Sequence, residues 1–274
     1  MGGPDRRRGR WLPLLALLGA GCGQDRPPPH VMAAYVPAAR LEGHVRALAE
    51  QIGERNVFRP SALAAAADYL EGQWRDQGYG VRRQSYTARG VESSNLEVTR
   101  RGEVAADEIV LVCAHYDSVE GSPGANDNAS GVAALLELSR LFAALPPPPR
   151  TLRFVAFVNE EPPFYYWESM GSMVYARAAR ERGDDIRLMV SLETIGYYTD
   201  EPGSQRYPPL IGRFFPDRGS YLGFVSNFRS RGWLRRAVRG FEASSSFPTE
   251  SAALPGFIPG VSWSDHLSFW RHDY

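Results

Sequence analysis

Five side chains of this sequence have the chemistry of metal ligands, and each lies at or shortly beyond the end of an apolar segment. They are His115, Asp127, Glu161, Glu193 and His266. Imidazoles and carboxylates are common zinc ligands, and two zinc ions that share one bridging carboxylate need a set of this kind. We therefore interpret these residues as a predicted site for two zinc ions.

Three apolar segments place most of these side chains at strand ends. Each segment is typical of a buried strand and is followed by a histidine or by glutamates. Ligands collect at the carboxyl ends of the strands in open α/β sheets, so one common site is expected. The segments and the side chains that follow them are Ile109–Ala114 with His115, Leu152–Val158 with Glu160 and Glu161, and Leu188–Leu192 with Glu193.

Two aspartates lie in the turns between these segments. Asp117 follows His115 by two residues and is close enough to orient its ring. Asp127 lies in a loop rich in Gly, Asn and Ser, just ahead of a helix. A helix cap or an Asx-turn is the alternative role for Asp127, and Asn128 or Ser130 could equally cap that helix.

Glu160 and Glu161 are adjacent, which restricts the backbone between them. In a regular strand they would point to opposite faces of the sheet. If both serve one site, the chain must leave extended geometry there, and the following Pro162-Pro163 is consistent with such a break. Surface exposure is the usual state of an adjacent glutamate pair, but the apolar segment before this pair favours a site.

The rest of the pattern predicts an α/β fold. Helices are expected after Ser61, over 130–145, over 170–182 and over 232–241. Strands are expected over 79–86 and 95–98, with a possible hairpin across 88–90, and over 221–226. Alternation of helices with buried strands predicts a single domain with a mostly parallel central sheet and helices on both faces.

The N-terminus is typical of an export signal. Arg6 to Arg10 form a basic start, Trp11 to Leu18 an apolar core, and a small-residue exit ends at Cys22. We predict a signal peptide over 1–22 of the lipoprotein type, with Cys22 lipidated; plain cleavage is the alternative. A flexible tether over 23–38 and a catalytic domain over 39–274 would follow. The expected location is the periplasm or cell envelope, or otherwise outside the cell.

Net charge and cysteine content give limited information about binding partners. Lys+Arg and Asp+Glu both total 31 in the 274 residues, so the net charge of zero gives no support to nucleic-acid binding. The basic run over 229–239 is expected to be the solvated face of a helix. Apart from Cys22 there is only Cys113, predicted to be a small buried apolar residue.

Four motifs resemble a known family in order and spacing. They are His115-Tyr116-Asp117, Gly124-Ala125-Asn126-Asp127-Asn128-Ala129-Ser130-Gly131, Asn159-Glu160-Glu161-Pro162 and Ser264-Asp265-His266. From about Leu41 to Tyr274 the chain resembles the di-zinc aminopeptidase family of metallopeptidases, as a secreted bacterial member. That family also contains glutamate carboxypeptidases, glutaminyl cyclases and the transferrin receptor ectodomain.

The resemblance implies a role for each motif residue. Asp127 would bridge two zinc ions, His115 and Glu193 would complete one, and Glu161 and His266 the other. Glu160 would be the general base, and Asp117 would hold the ring of His115. Glu193 stands where the family commonly has aspartate, so metal spacing or occupancy could differ. Family members also continue with a strand and a helix after this region, so a shortened C-terminus is expected.

The expected activity is that of a zinc-dependent exopeptidase acting on peptides, most simply an aminopeptidase. A carboxypeptidase or dipeptidase of the same family is the nearest alternative. A glutaminyl cyclase and a catalytically inactive receptor-like domain are more distant ones. The oxyanion stabiliser and the oligomeric state are not assigned. Phe164 to Trp167 are candidates for the specificity pocket, although core packing is favoured for them.

Overall fold

The computed structural model of this chain describes residues 36–208 and 212–274. The predicted signal peptide, Cys22 and nearly all of the predicted tether lie outside the described residues. The described part begins with helix α1, Ala38–Arg46, which continues into a wider turn over Ala47–Ile52. None of the described helices is long and apolar enough to cross a membrane.

Five strands form the central sheet in the order β1-β2-β4-β3-β5. Strand β3 runs parallel to both β4 and β5, whereas β2 runs antiparallel to both β1 and β4. The strands are β1 Arg82–Ala88, β2 Val91–Arg100, β3 Ala105–His115, β4 Arg150–Phe157 and β5 Asp185–Ser191.

The predicted α/β domain is confirmed, with a mixed sheet in which only the β4-β3-β5 part is parallel. The antiparallel pairing of β1 with β2 follows from the predicted hairpin, because the turn at Arg89-Gly90 joins these strands with too few residues for a parallel crossover. Both turn residues have positive φ, 49° and 80°. Such values are typical of two-residue hairpin turns.

Helices cover both faces of this sheet, as predicted. Helix α2, Pro60–Asp76, and helix α3, Gly131–Ala144, pack on Phe154 and Ala156 of β4. Helix α4, Gly171–Arg182, and helix α6, His266–Arg271, pack on Val155 and Phe157 of the same strand. Successive residues of a strand point to opposite faces, so the two apolar cores lie on opposite sides of the sheet. Cys113 is a free, buried thiol in the second core, as expected.

A smaller parallel sheet follows in the chain. Strand β6, Leu222–Ser226, and strand β7, Thr249–Ala253, are joined by helix α5, Arg231–Glu242. A single 3₁₀ turn, Gly212–Phe214, precedes them. The strand and helix predicted here are confirmed, but β6 pairs with β7 and not with the central sheet. The arginines of α5 are exposed, as predicted for a solvated face.

Candidate metal centre

His115 is the last residue of β3, and its imidazole lies at the centre of the site. Its side chain is 1% exposed. The Nε2 atom lies 3.1 Å from Oδ1 of Asp127, 3.4 Å from Oε1 of Glu193 and 3.8 Å from Oε2 of Glu160. Carboxylates from three other parts of the chain therefore surround one nitrogen. The structure shows the predicted meeting at the strand ends for His115, Glu160 and Glu193, and Asp127 joins them from its loop.

Asp117 contacts both His115 and the glutamate pair. Its Oδ1 lies 3.4 Å from Nδ1 of His115, as expected for a residue that orients the ring. The backbone N–H groups of Glu160 and Glu161 donate to Oδ1 and Oδ2 of Asp117, at 3.1 Å each. One buried carboxylate thus holds the turn after β4 and lies beside the imidazole, and its role in orienting that ring stays a prediction. The contact with the turn was not predicted, because it depends on pairing between β3 and β4.

Asn159 produces the break in extended geometry that the glutamate pair requires. Strand β4 ends at Phe157, and Asn159 has a φ of 58°. Asparagine tolerates this left-handed region better than most residues do. Its side-chain amide donates to the hydroxyls of Tyr86 and Ser93, at 3.1 and 3.0 Å. The turn is therefore held by contacts to β1 and β2, and both glutamates face the site.

A group of three side chains is arranged so that one cation could contact all of them. One ligand atom each from His115, Asp127 and Glu161 lies within 4.8 Å of the other two. Oε1 of Glu161 is buried and has no hydrogen-bond partner in the described part of the chain. Burial raises the pKa of Glu161 to about 7, since a carboxylate without a partner loses its hydration. An imidazole with two carboxylates and an unpartnered buried oxygen fits a zinc ion.

Glu160 lies beside this group but does not belong to it. Its side chain is 8% exposed. Burial raises the pKa of Glu160 well above its ordinary value, and the nearby His115 opposes this shift only in part. A buried carboxyl group with a raised pKa next to a metal-binding group is typical of a general base or acid.

The loop of Asp127 and the turn of Glu193 are tied together by Asn128. The Asn128 amide donates to the carbonyl of Leu192 at 2.9 Å, and its oxygen accepts from the N–H of Thr194 at 3.3 Å. The same oxygen accepts from the N–H of Gly131 at 3.1 Å, which is the helix cap considered for Asn128 from the sequence. The sequence predicted a capping role for Asn128, but it did not predict the hydrogen bonds to Leu192 and Thr194.

Ser264 holds the carboxylate of Glu193. Its hydroxyl donates to Oε2 of Glu193 at 2.8 Å. The next residue, Asp265, is fully buried, and neither of its carboxylate oxygens has a hydrogen-bond partner among the residues described. Burial raises the pKa of Asp265 to about 7. The Ser264-Asp265-His266 motif therefore reaches the site through its first residue, which sequence reasoning did not single out.

His266 is placed differently from the other predicted ligands. Its Nε2 lies 2.8 Å from the carbonyl oxygen of Val261, and its ring packs edge-on against Trp270 at 4.5 Å between centroids. It shares with Glu193 a cavity of about 290 Å³ between β5, β6 and α5. Among the described residues, His266 makes no hydrogen bond or ion pair with a predicted ligand. Its assignment as a zinc ligand stays a prediction.

The aromatic run after the glutamate pair is only partly in the core. Phe164 is buried in the first apolar core, whereas Trp167 is 69% exposed. Tyr165 donates its hydroxyl to the carbonyl of Ser262 at 3.1 Å. Core packing thus accounts for Phe164 alone, and a role of the other aromatic residues in a specificity pocket stays a prediction.

An imidazole and buried carboxylates that meet at the strand ends of an α/β sheet favour the class of metal-dependent hydrolases. The chain matches peptidase family M28 over residues 95–213. Together with a relative aligned along most of its length, this match shows that the chain belongs to that family.

Three similar proteins extend this result. The uncharacterized protein YfbL of Escherichia coli (strain K12) is 37% identical over 243 residues, which cover 85% of this chain and 73% of that protein. A probable zinc metalloprotease of Pyricularia oryzae is 33% identical over 141 residues, covering 48% of this chain and 26% of that protein. The structure of BSAP, a zinc aminopeptidase from Bacillus subtilis, has the same fold, with a TM-score of 0.65 at 15% identity over 86% of this chain and 83% of that one. Family and relatives identify a zinc metallopeptidase.

Proposed function

We propose that this chain is an aminopeptidase that removes N-terminal residues from peptides, with Glu160 as its general base. The observation that supports this most is the placement of Glu160. Its carboxylate is buried 3.8 Å from Nε2 of His115, beside the group of His115, Asp127 and Glu161 but outside it. A free carboxylate next to metal ligands is what metal-assisted hydrolysis of an amide needs.

The proposed zinc ligands are those predicted from the sequence, in a site for two ions. They are His115, Asp127, Glu161, Glu193 and His266. Zinc bound there supplies an acidified water and a polarised substrate carbonyl. Asp117 holds the ring of His115, and Ser264 holds the carboxylate of Glu193.

The proton movements of the reaction fall to Glu160. It accepts a proton from the attacking water while the water oxygen bonds to the carbonyl carbon of the scissile peptide. It then donates that proton to the leaving nitrogen as the C–N bond breaks.

The direction of the exopeptidase is tested with paired substrates. We expect the purified protein to hydrolyse aminoacyl-anilides, to ignore N-blocked peptides, and to lose this activity when a chelator removes the metal. Cleavage of N-blocked peptides from the carboxyl end would favour the carboxypeptidase alternative. Cyclisation of an N-terminal glutamine would favour a glutaminyl cyclase, and no turnover with bound zinc would favour an inactive domain.

The role of His266 is tested by metal content. If it supplies the second imidazole, His266→Ala loses about half of the zinc of a two-ion site. His44→Ala is a control, because His44 is a buried histidine that contacts Glu137 and Tyr69 instead. Unchanged zinc in the His266 variant would remove it from the ligand set.

We also propose that the protein is exported and anchored through a lipidated Cys22. The basic, apolar and small-residue regions of the first 22 residues support this proposal. Metabolic labelling with palmitate should mark the wild type and not Cys22→Ser. An unlabelled but exported wild type would favour plain cleavage.

A further inference from the structure

Arg55 is a fully buried cation between α1 and α2, and its guanidinium contacts backbone oxygens only. It is 0% exposed. In the described part of the chain no carboxylate oxygen lies within 4.0 Å of it, although buried arginines are usually paired with acids. The carbonyl oxygens that accept from it are those of Leu48 (3.3 Å), Gly53 (3.2 Å), Tyr116 (2.6 Å), Pro123 (2.5 Å) and Gly124 (2.9 Å).

These carbonyls belong to the two segments that carry His115 and Asp127. Tyr116 follows His115 directly, at the end of β3. Pro123 and Gly124 precede Asp127 by four and three residues, at the start of its loop. A planar guanidinium with five N–H donors can hold several acceptors in a set geometry. The side chain of Arg55 therefore connects the end of β3, next to His115, with the start of the loop that carries Asp127.

The backbone of Arg55 strengthens the same link. Its N–H donates to Oγ of Ser118 at 3.1 Å, and its carbonyl accepts from the N–H of Ser118 at 3.1 Å. Gly124 fits closely into this arrangement, with a φ of 59°. A Cβ atom there would lie 2.5 Å from the carbonyl oxygen of Asp127 and 2.6 Å from Cβ of Ser118. The loop therefore has little freedom to move relative to β3.

The charge of Arg55 also acts on the site. Burial lowers the pKa of Arg55 to about 10, and the carboxylates of Asp117, Asp127 and Glu161 oppose this shift. The side chain thus stays a cation at neutral pH and partly offsets the negative charge of the site. A substitution by lysine keeps this charge while removing the planar set of donors, so charge and geometry can be separated.

We propose that Arg55 is a positioning residue of the metal centre, which sets the separation of His115 and Asp127 and thereby the zinc affinity. That separation is 3.1 Å between Nε2 and Oδ1. This inference rests on the proposed role of both residues as zinc ligands, but not on the direction of the exopeptidase. Arg55 does not touch substrate or metal in this role.

The test measures the zinc dissociation constant of the full chain, by competition between the metal-free protein and a chelating dye. We expect Arg55→Lys to weaken zinc binding by about 10- to 100-fold, the usual effect of losing a residue that supports metal ligands. Arg55→Met should weaken it at least as much. Arg153→Lys and Arg153→Met are the matched controls, because Arg153 is a largely buried arginine that pairs with Asp184 away from the site. They should lower the melting temperature and leave zinc affinity unchanged.

Two results would overturn the proposal. One is a wild-type dissociation constant in Arg55→Lys. The other is a loss of zinc affinity in the Arg153 variants as large as that in the Arg55 variants, when both sets of variants are destabilised equally. The loss of affinity would then be a consequence of lower stability and not of the position of Arg55. If the Arg55 variants do not fold, Gly124→Ala perturbs the same loop with Arg55 intact, and undiminished zinc affinity there would also refute the role. A wild type that binds zinc without cleaving aminoacyl-anilides would contradict the proposed function alone.

Discussion

Two clusters of charged side chains in this molecule each contain buried carboxylates and a histidine, but the carboxylates are balanced in opposite ways. In the first, between α1 and α3, Glu137 accepts hydrogen bonds from Arg40 at 3.0 Å and Arg140 at 2.8 Å, and lies 3.3 Å from Nε2 of His44. Burial alone would raise the pKa of Glu137, but the hydrogen bonds from Arg40, Arg140 and His44 outweigh it and hold the pKa at about 2. This carboxylate has all the partners it needs.

The second cluster, at the carboxyl ends of β3, β4 and β5, is short of partners. Glu160, Glu161 and Asp265 are all raised in pKa by burial. Buried oxygens of Glu161 and Asp265 find no hydrogen-bond partner among the described residues. The pKa of His115 is raised well above its ordinary value, against the effect of burial, by the carboxylates of Glu193, Glu160, Asp117 and Asp127.

The contrast between the two clusters distinguishes buried acids that stabilise the fold from buried acids that belong to a functional site. A complete ion-pair network needs nothing further, whereas an excess of buried carboxylate is unfavourable unless a cation binds. Strongly perturbed, incompletely compensated acids are therefore expected where a metal binds or a proton moves. The comparison predicts that changes in the second cluster act on zinc and turnover, and changes in the first act on stability alone.

The largest expected effect is on turnover. Glu160→Gln should lower kcat by about 10²- to 10⁴-fold, the usual contribution of a general base. Zinc content should not change, because Glu160 is not in the three-residue ligand group. Glu168→Gln is a matched control at an exposed position, and should retain activity. Loss of zinc from the Glu160 variant would instead place Glu160 among the ligands.

The next effect is on the stabilisation that zinc provides. At a free zinc concentration of 100 times the dissociation constant, binding should add about 2.7 kcal/mol to the free energy of unfolding of the wild type. Asp127→Ala should lose most of this increment, with lower zinc content, as measured by denaturant unfolding with and without metal. If the variant keeps its zinc and is only less stable, Asp127 acts as a helix cap or turn residue.

The first cluster should affect stability without affecting the metal. Glu137→Gln should lower the free energy of unfolding by about 2–3 kcal/mol, because Arg40 and Arg140 lose their shared counter-charge and the contact of Glu137 with His44 is weakened. The decrease is measured by denaturant unfolding, and zinc affinity should match the wild type. A reduced zinc affinity at full stability would mean that the two clusters are coupled.

The smallest expected effect is the acid dependence of stability. The folded pKa of Glu137, about 2, lies below its ordinary value of 4.5. Its contribution is therefore fully present above about pH 4.5 and is lost as the pH falls towards about 2. As the pH falls from 4.5 to about 3, the free energy of unfolding should decrease by on the order of 1 kcal/mol more in the wild type than in Glu137→Gln. If the free energy of unfolding depends on pH in the same way in both proteins, the ion pairs of Glu137 contribute little to stability.

Much of the central sheet was predictable because its strands are continuous apolar runs. A strand that is buried on both faces of the sheet needs apolar side chains on both faces. Strands β3 and β4 can therefore be recognised as continuous apolar segments, with no alternation of apolar and polar residues. The mixed character of the sheet was less visible, because β1 and β2 have weaker patterns and their direction follows from a two-residue turn. The pairing of β6 with β7 was not predicted at all, since strand partners are chosen by tertiary packing.

Within the site, residue type was predictable and spatial arrangement was not. The convergence of His115, Glu160 and Glu193 followed from the rule that strand ends share an edge. The place of Asp127 in the same site came from its motif, which resembles that of the family. The supporting roles of Arg55 and Asn128 depend on contacts with segments more than 60 residues away, such as the Arg55 contact with Tyr116. His266 belongs to a matching motif, yet its ring faces Val261 and Trp270.

The donor chemistry of this protein can be read from its amino-acid sequence: imidazole and carboxylate groups lie in turns that follow apolar strands. Such information is local, because burial and turn formation depend mainly on neighbouring residues. Which acids lie around His115, which are left without partners, and where the guanidinium of Arg55 lies follow from the folded arrangement of the chain. Those outcomes depend on distances of a few ångströms between segments far apart in the chain, and at that range electrostatic interactions in a low-dielectric interior are strongest.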